Sequence, residues 1–221
     1  MTTLQQSLCL VADRFPEDGA ELRLESTRHA MIYMVEGEAV LTGPDYEKRL
    51  VANQASYLAA PARLRAVGGP ARLWRWQVLE PGGAGERPDG PVASDILLAR
   101  DIELDGSAQM LRCDRVDFPP GGIAHTHVHP GPGIRVVLFG EITIDTRGAA
   151  NTYAAGEPWF ERGPDPVLAP TTDREPTAFV RVMVLPRDWL GRNTIRYVKD
   201  EDAGKPKPQR YFRFADQFVD L

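Results

Sequence analysis

Residues Gly121–Gly140 read GGIAHTHVHPGPGIRVVLFG, and they set His125, His127 and His129 at alternate positions just after a Pro-Pro-Gly-Gly turn. On an extended strand, residues two apart point to the same face, so this spacing predicts three imidazoles on one side of a strand. The chain holds only four histidines, and three on one face ask for a reason. Neutral imidazole is the commonest protein ligand for first-row metals, which makes a metal ion the first reason to consider. The alternative is a polar strand face hydrogen-bonded to neighbouring carbonyls. Along a straight strand the outer two Cα atoms would stand ~13 Å apart. Two adjacent histidines can therefore share an ion easily, while all three need a bend.

The glycine that closes this stretch belongs to a repeat. YMVEGEAVL (Tyr33–Leu41) and VVLFGEITI (Val136–Ile144) align with Gly37 on Gly140, an offset of 140 − 37 = 103. At the same offset Glu38 meets Glu141, Ala52 meets Ala155, Tyr57 meets Phe160, Pro61 meets Pro164 and Ala66 meets Ala169. RLWRWQVLEP and AFVRVMVLP correspond after a three-residue slip. A fixed offset held this long points to duplication. The runs are short, rich in Val, Ile, Leu and aromatics, and punctuated by TGPD, VGGP and DTRG, so both halves read as all-β. The predicted organisation is an N-terminal barrel over 1–80, a Gly/Pro linker over 81–91 and a C-terminal barrel over 92–186. Residues 187–221 read as an irregular tail, anchored by Trp189, Tyr197, Tyr211, Phe212 and Phe214, with a short helix at its end.

Composition sets the outer limits. Hydrophobic residues make up 43% and charged residues 26% of the 221, as in ordinary globular proteins. The 20 glycines and 19 prolines favour many short strands over long helices. A net charge of −5 with no dense basic run argues against a nucleic-acid partner. No run approaches the ~18 apolar residues of a membrane span, and MTTLQQSLCLVADRF lacks the basic leader and apolar core of a signal peptide. A cytoplasmic location is expected by default. Cys9 and Cys113 fit no ligand spacing and read as reduced structural thiols.

Together these residues resemble the cupins. That family's first motif is a glycine, five residues, His-x-His, three or four residues, a glutamate, six residues and a glycine. Gly121, His127-Val128-His129, position 133 and Gly140 keep that spacing, but Gly133 stands at the glutamate. In the second motif Gly156 opens as expected, while Arg162 replaces the proline and Val167 the histidine ligand. The resemblance spans both halves and implies a bicupin: two tandem double-stranded β-helix (jelly-roll) barrels. It also implies one divalent ion (Fe, Mn, Ni or Zn) in the C-terminal barrel, with His127 and His129 as ligands. His125 is then a third ligand or a nearby proton acceptor. Glu161, one position before the expected proline, is either an oxygen ligand or a surface acid beside Arg162. Subtracting 103 from 125, 127, 129 and 161 gives Leu22, Leu24, Ser26 and Leu58. The N-terminal barrel should be apolar and metal-free, with His29 a structural or surface residue.

If position 133 faces inward, so do Arg135, Val137 and Phe139. A guanidinium in an apolar barrel is expensive unless it meets an anion. A substrate carboxylate or phosphate would satisfy Arg135 bidentately, and so would an internal acid such as Glu161. Arg181 raises the same question, and Trp159 is either a pocket wall or simple core. No nucleophile motif and no phosphate-binding glycine loop is present. Two readings stand. The first is a metal-dependent dioxygenase, isomerase or lyase acting on a small anionic organic molecule. The second is a small-ligand-binding or sensor bicupin without turnover. Either could be a monomer or a homodimer.

Overall fold

The computed structural model describes residues 3–25 and 28–221. The chain divides into two compact units, Met1–Gly106 and Ser107–Leu221. The first unit carries β1 (Leu4–Phe15), β2 (Glu21–Leu24), β3 (His29–Glu36), β4 (Glu38–Thr42), β5 (Glu47–Val51), β6 (Ala55–Leu58), β7 (Ala62–Ala66), β8 (Ala71–Leu79) and β9 (Ala93–Leu104). They form two sheets, ordered β6-β3-β8-β1-β9 and β2-β7-β4-β5. Alternation assigns the faces: in β7, Ala62, Leu64 and Ala66 are buried while Arg63 and Arg65 are exposed. The inward residues of both sheets meet in one core that includes Phe15, Leu22, Leu24, Ile32, Leu58, Leu64 and Leu73. Leu22, Leu24 and Leu58 are thus packed apolar residues, as expected, and Ser26 lies outside the described residues.

The second unit repeats the plan with β10 (Gln109–Phe118), β11 (Ile123–Val128), β12 (Gly133–Phe139), β13 (Glu141–Thr146), β14 (Ala149–Ala154), β15 (Pro158–Glu161), β16 (Val167–Pro170) and β17 (Thr177–Pro186). A 3₁₀ turn (Arg187–Trp189), β18 (Arg196–Tyr197), the one-turn helix α1 (Asp200–Ala203) and β19 (Arg210–Val219) follow. The sheet orders are β15-β12-β17-β10-β19 and β14-β13-β16-β11-β18.

The duplication holds in the strand register. Ala30 faces Leu58 and Ile32 faces Ser56, just as Gly133 faces Glu161 and Arg135 faces Trp159, all at the 103 offset. A bulge follows Met34 in β3 and Val137 in β12. It turns Phe139 outward, 39% exposed, against the expectation that it shares the inner face of Arg135. Gly37 and Gly140 then sit at φ +74° and +79°. A Cβ on Gly140 would stand 2.5 Å from the Pro176 carbonyl oxygen, so both conformation and space require glycine there.

The repeat also reaches further than the sequence suggested. Residues 93–104, assigned above to the second half, complete the first unit's sheet as β9. Residues 187–221 are likewise not irregular, since ten of them form β19 on the free edge of β10. Both edge pairings carry a bulge at equivalent places, after Leu10 and after Cys113 (113 − 10 = 103). Their partners Leu98 and Ala215 differ by 215 − 98 = 117. β8 and β17 differ by 181 − 75 = 106, from the pairs Ile32–Arg75 and Arg135–Arg181. The connection leading to β19 is therefore 117 − 106 = 11 residues longer than the one leading to β9.

Arg112 clamps this longer connection. Its guanidinium donates to both oxygens of Asp216 at 2.6 and 2.7 Å, to the Arg192 carbonyl at 2.6 Å and to the Trp189 carbonyl at 2.9 Å. Each unit also buries one Arg–Asp pair between equivalent strands, Arg75–Asp13 at 2.8 Å and Arg181–Asp114 at 2.6 Å. Both cysteines are buried and free. No helix among the described residues is long and apolar enough to cross a membrane.

Candidate functional site

β11 pairs with β16 as Ile123–Pro170 and Ala124–Ala169, then jumps to His127–Val167. The bulge inserts one residue at His125–Thr126, so Ala124 and His127 both face inward. That corrects the expectation of three imidazoles on one face, because a single inserted residue breaks the two-residue period. His125 is turned aside with its side chain 24% exposed, its Nδ1 3.9 Å from Asp202 Oδ1 on α1. His127 and His129 are buried, with ring centroids 4.9 Å apart.

The hydrogen bonds fix the imidazole tautomers. His127 Nδ1 lies 2.7 Å from the His125 carbonyl. A carbonyl only accepts, so Nδ1 carries the proton and Nε2 keeps its lone pair. His129 Nε2 lies 3.2 Å from Arg181 Nη1, which can only donate, so that lone pair is engaged. Burial lowers the pKa of both rings. For His129 the cations of Arg181 and Arg135 add to the effect and hold it well below the usual range. For His127 the opposing pull of Glu161 and the His125 carbonyl is not enough. Both rings are neutral at pH 7.

Behind the histidines lie charges of both signs. Arg135, on β12, is fully buried and donates from Nη1 to the Gly133 carbonyl at 2.6 Å. Its Nη2 stands 2.8 Å from Glu161 Oε2. Burial, opposed by Glu161, brings its pKa down to about 10, so it remains a cation at neutral pH. A side chain at 133 has no room: its Cβ would lie 3.0 Å from Arg135 Nη1 and 2.5 Å from the Val182 carbonyl oxygen. Glu161, on β15, accepts from Trp159 Nε1–H at 2.8 Å, as two inward residues of one strand can. Arg181, on β17, is gripped by Asp114 at 2.6 and 3.1 Å. Burial alone would lower its pKa, but Asp114, Tyr211 and Glu161 raise it above the ordinary value. Arg135 and Arg181 balance Asp114 and Glu161, and the imidazoles add no charge.

These groups form the polar end of a narrow cleft with about 20 Å³ of room for water-sized contents. Phe118, Ile142, Ile144, Trp159 and Phe179 supply its apolar lining, with His127, His129, Glu161 and Arg181 at the polar end. Ile195 and Tyr211 add a wall from the C-terminal connection and β19. Arg135 stands just behind Glu161. Asp114 and Ile195 were not singled out from sequence, and Tyr211 was read only as an aromatic anchor of the tail. Asp114 carried a usable signal, being an acid on a buried strand whose counterpart arginine had already been noticed. Tyr211 carried no sign of a place in the cleft, because that place depends on β19 pairing with β10.

The first unit serves as an internal control. His127, Arg135 and Glu161 correspond to Leu24, Ile32 and Leu58. Arg181 instead corresponds to Arg75; Arg181 faces Asp114 directly across β10, whereas Arg75 faces Val11 and is buried against Asp13, two residues further along β1. The buried arginine is common to both units, but its aspartate comes from different places on β1 and β10. The second unit adds the imidazoles, Arg135 and Glu161.

The expected metal-ligand set is not assembled. Among the described residues no three His, Cys, Asp or Glu side chains are placed to hold a metal ion. His125 is turned away, Glu161 is tied to Trp159 and Arg135, and Arg181 occupies the His129 lone pair. A divalent ion would also add uncompensated charge beside two buried guanidinium groups. These side chains, as placed, do not fit a resident metal.

No family model matches the sequence, and no curated protein matches it. Solved structures do match the fold. A deletion mutant of Bacillus subtilis oxalate decarboxylase aligns with TM-score 0.65 and 15% identity, covering 91% of this chain and 73% of that one. The formate complex of Lactobacillus farciminis oxalate decarboxylase gives TM-score 0.67 and 13% identity, over 90% and 82% of the two chains. AerE from Microcystis aeruginosa gives 0.58 and 13%, over 84% and 88%. The oxalate decarboxylases are cupin proteins, and the fold of this chain is cupin-like.

Proposed function

We propose that the chain is a bicupin, two cupin barrels in tandem, whose second barrel binds a small carboxylate-bearing molecule without a resident metal. The observation that carries this reading is the buried guanidinium of Arg181 with two neutral imidazoles at the end of an apolar cleft, and a second buried guanidinium, Arg135, directly behind the cleft residue Glu161. Arginine is the side chain best matched to a carboxylate, through parallel N–H donors. Low dielectric strengthens the attraction. The apolar walls would take the remainder of the ligand, and His127 Nε2 would accept a hydrogen bond only where that remainder carries a hydroxyl or amine. Two of the fold's neighbours are oxalate decarboxylases, one of them bound to formate, which supports a small acid as the ligand class. Of the two readings drawn from sequence, the ligand-binding or sensor protein is the better supported.

One observation favours the metalloenzyme. A histidine whose Nδ1–H is held by a carbonyl, as in His127, presents Nε2 as metal-binding histidines do. That reading requires Arg181 to release His129 and Glu161 to leave Arg135. The two are separated by titrating oxalate, formate and acetate into chelator-treated protein while following thermal unfolding. Anion at a hundredfold over its Kd stabilises by about 2.7 kcal/mol. Stabilisation that survives chelation supports the proposal. A response that appears only after adding back Fe(II), Mn(II), Ni(II) or Zn(II) refutes it.

A further inference from the structure

We infer that Glu161 is an internal stand-in for the ligand: its carboxylate fills the anion seat on Arg135 while the cleft is empty, and an incoming carboxylate displaces it. This rests on the small-carboxylate reading above and assigns the subsite and the exchange that accompanies binding.

Three features of the structure carry it. First, the Arg135–Glu161 pair is close but poorly formed. Nη2 and Oε2 stand 2.8 Å apart and both are buried, yet neither takes part in a directed hydrogen bond. The other Glu161 oxygen is diverted to Trp159, so Arg135 receives one oxygen where a free carboxylate could offer two in parallel. Second, Glu161 has somewhere to go. It lines both the cleft and a neighbouring pocket of about 100 Å³, whose other walls include Thr146, Arg147, Arg162 and Asp165. No other residue lines both. Arg162 is exposed and Arg147 approaches Asp165 no closer than 3.7 Å, so two arginines against one aspartate leave the second pocket with positive charge for a displaced carboxylate. Third, Ile32 and Leu58 hold the equivalent places in the first unit. The same scaffold packs there without either charge, so the pair is not needed to build the fold.

Exchange keeps the buried layer balanced, because one carboxylate leaves as another arrives and Arg135 is never left alone. A glutamate that competes with ligand and one that contacts ligand or metal differ in the sign of a single mutation. Glu161→Gln keeps the shape and can still accept from Trp159, but removes the competing charge. Calorimetric titration of the full chain with formate, acetate and oxalate should show at least one anion binding Glu161→Gln about tenfold or more tighter than wild type. The variant should also melt lower without anion and recover when formate is added. If it unfolds in anion-free buffer, folding is scored with formate present: recovery supports the exchange and no recovery refutes it. The double variant Arg135→Met/Glu161→Gln, lacking both charges, should fold and bind at least about tenfold more weakly than wild type. Equal or weaker binding by the single variant overturns the exchange but leaves small-carboxylate binding intact. Wild-type affinity in the double variant overturns Arg135 as the seat. Failure of all three anions to bind either wild type or Glu161→Gln overturns this inference and the proposed function together.

Discussion

Replacing Arg112 with Met should loosen the whole C-terminal connection. In the native fold this buried guanidinium makes two hydrogen bonds to Asp216 and one each to the carbonyls of Arg192 and Trp189. Met fills much of the same volume and replaces none of the donors. Asp216, whose side chain is 9% exposed, then keeps the Gly191 N–H at 3.3 Å and a 3.8 Å approach to Arg213. Removing one partner of a buried ion pair costs about 3–5 kcal/mol, because the other charge stays behind. Residues 107–221 should have an unfolding entropy of roughly 0.24 kcal/mol per degree, so the unit's melting temperature should fall by about 12–20 °C. Differential scanning calorimetry measures this directly. Hydrogen exchange should show β19 opening first, while the sheet of the first unit stays protected. Arg112→Met/Asp216→Leu should regain much of the loss, since no buried charge then lacks a partner. A single-variant shift of under about 3 °C, or unchanged exchange in β19, would refute the clamp.

Four further outcomes test the rest of the account. Gly140→Ala should cost about 2 kcal/mol or more in urea unfolding, since a positive φ is compounded by the Pro176 carbonyl at 2.5 Å. Gly156→Ala has a similar φ of +84° but open space around the new Cβ, and should cost only about 1 kcal/mol. The lowered pKa values of His127 and His129 set a pH dependence. Below the ordinary 6.5 the unfolded chain takes up protons that the folded rings refuse. Stability should therefore fall as pH drops through 6.5 toward the folded pKa values, by up to about 1.4 kcal/mol per pH unit for each ring. His127→Asn/His129→Asn should flatten that slope in denaturant titrations at pH 7 and 5.5. Finally, protein loaded with Fe(II), Mn(II), Ni(II) or Zn(II) and then desalted should retain well under one equivalent. A full equivalent that disappears in His127→Ala/His129→Ala would restore the metal centre.

What could be read from the sequence was local or periodic. The 103-residue offset needed only self-comparison, and it carried through to the pairings of β3 with β6 and β12 with β15. Arg135, Trp159 and Glu161 were placed inward by parity along single strands, and Arg135 does meet Glu161. The features missed were those that depend on two distant strands at once. The β11 bulge that removes His125 is defined against β16, and nothing in IAHTHV announces it. RYFRFADQFV reads as tail because an edge strand exposes one side and carries the charges that discourage further pairing. Its partner β10 lies about a hundred residues earlier. The inward glycine at 133 was legible as a missing carboxylate, but that Arg135 would fold back into the vacated space was not.

The longer connection between β17 and β19 gives the site a form of adjustability that the buried charges lack. It crosses the histidine-bearing strand, with Tyr197 beside His127 and the Val198 N–H donating to the Thr126 carbonyl at 2.9 Å. It also brings Ile195 to the cleft. Each charge in the polar layer faces one of opposite sign, so substitutions there are felt across the unit. Length changes in a surface crossing are tolerated far better. Ligand size could thus drift among descendants of this chain through insertions and deletions between residues 187 and 209, with recognition of the acid group left untouched. Grafting such crossings of different lengths would turn one anion seat into a graded series of receptors.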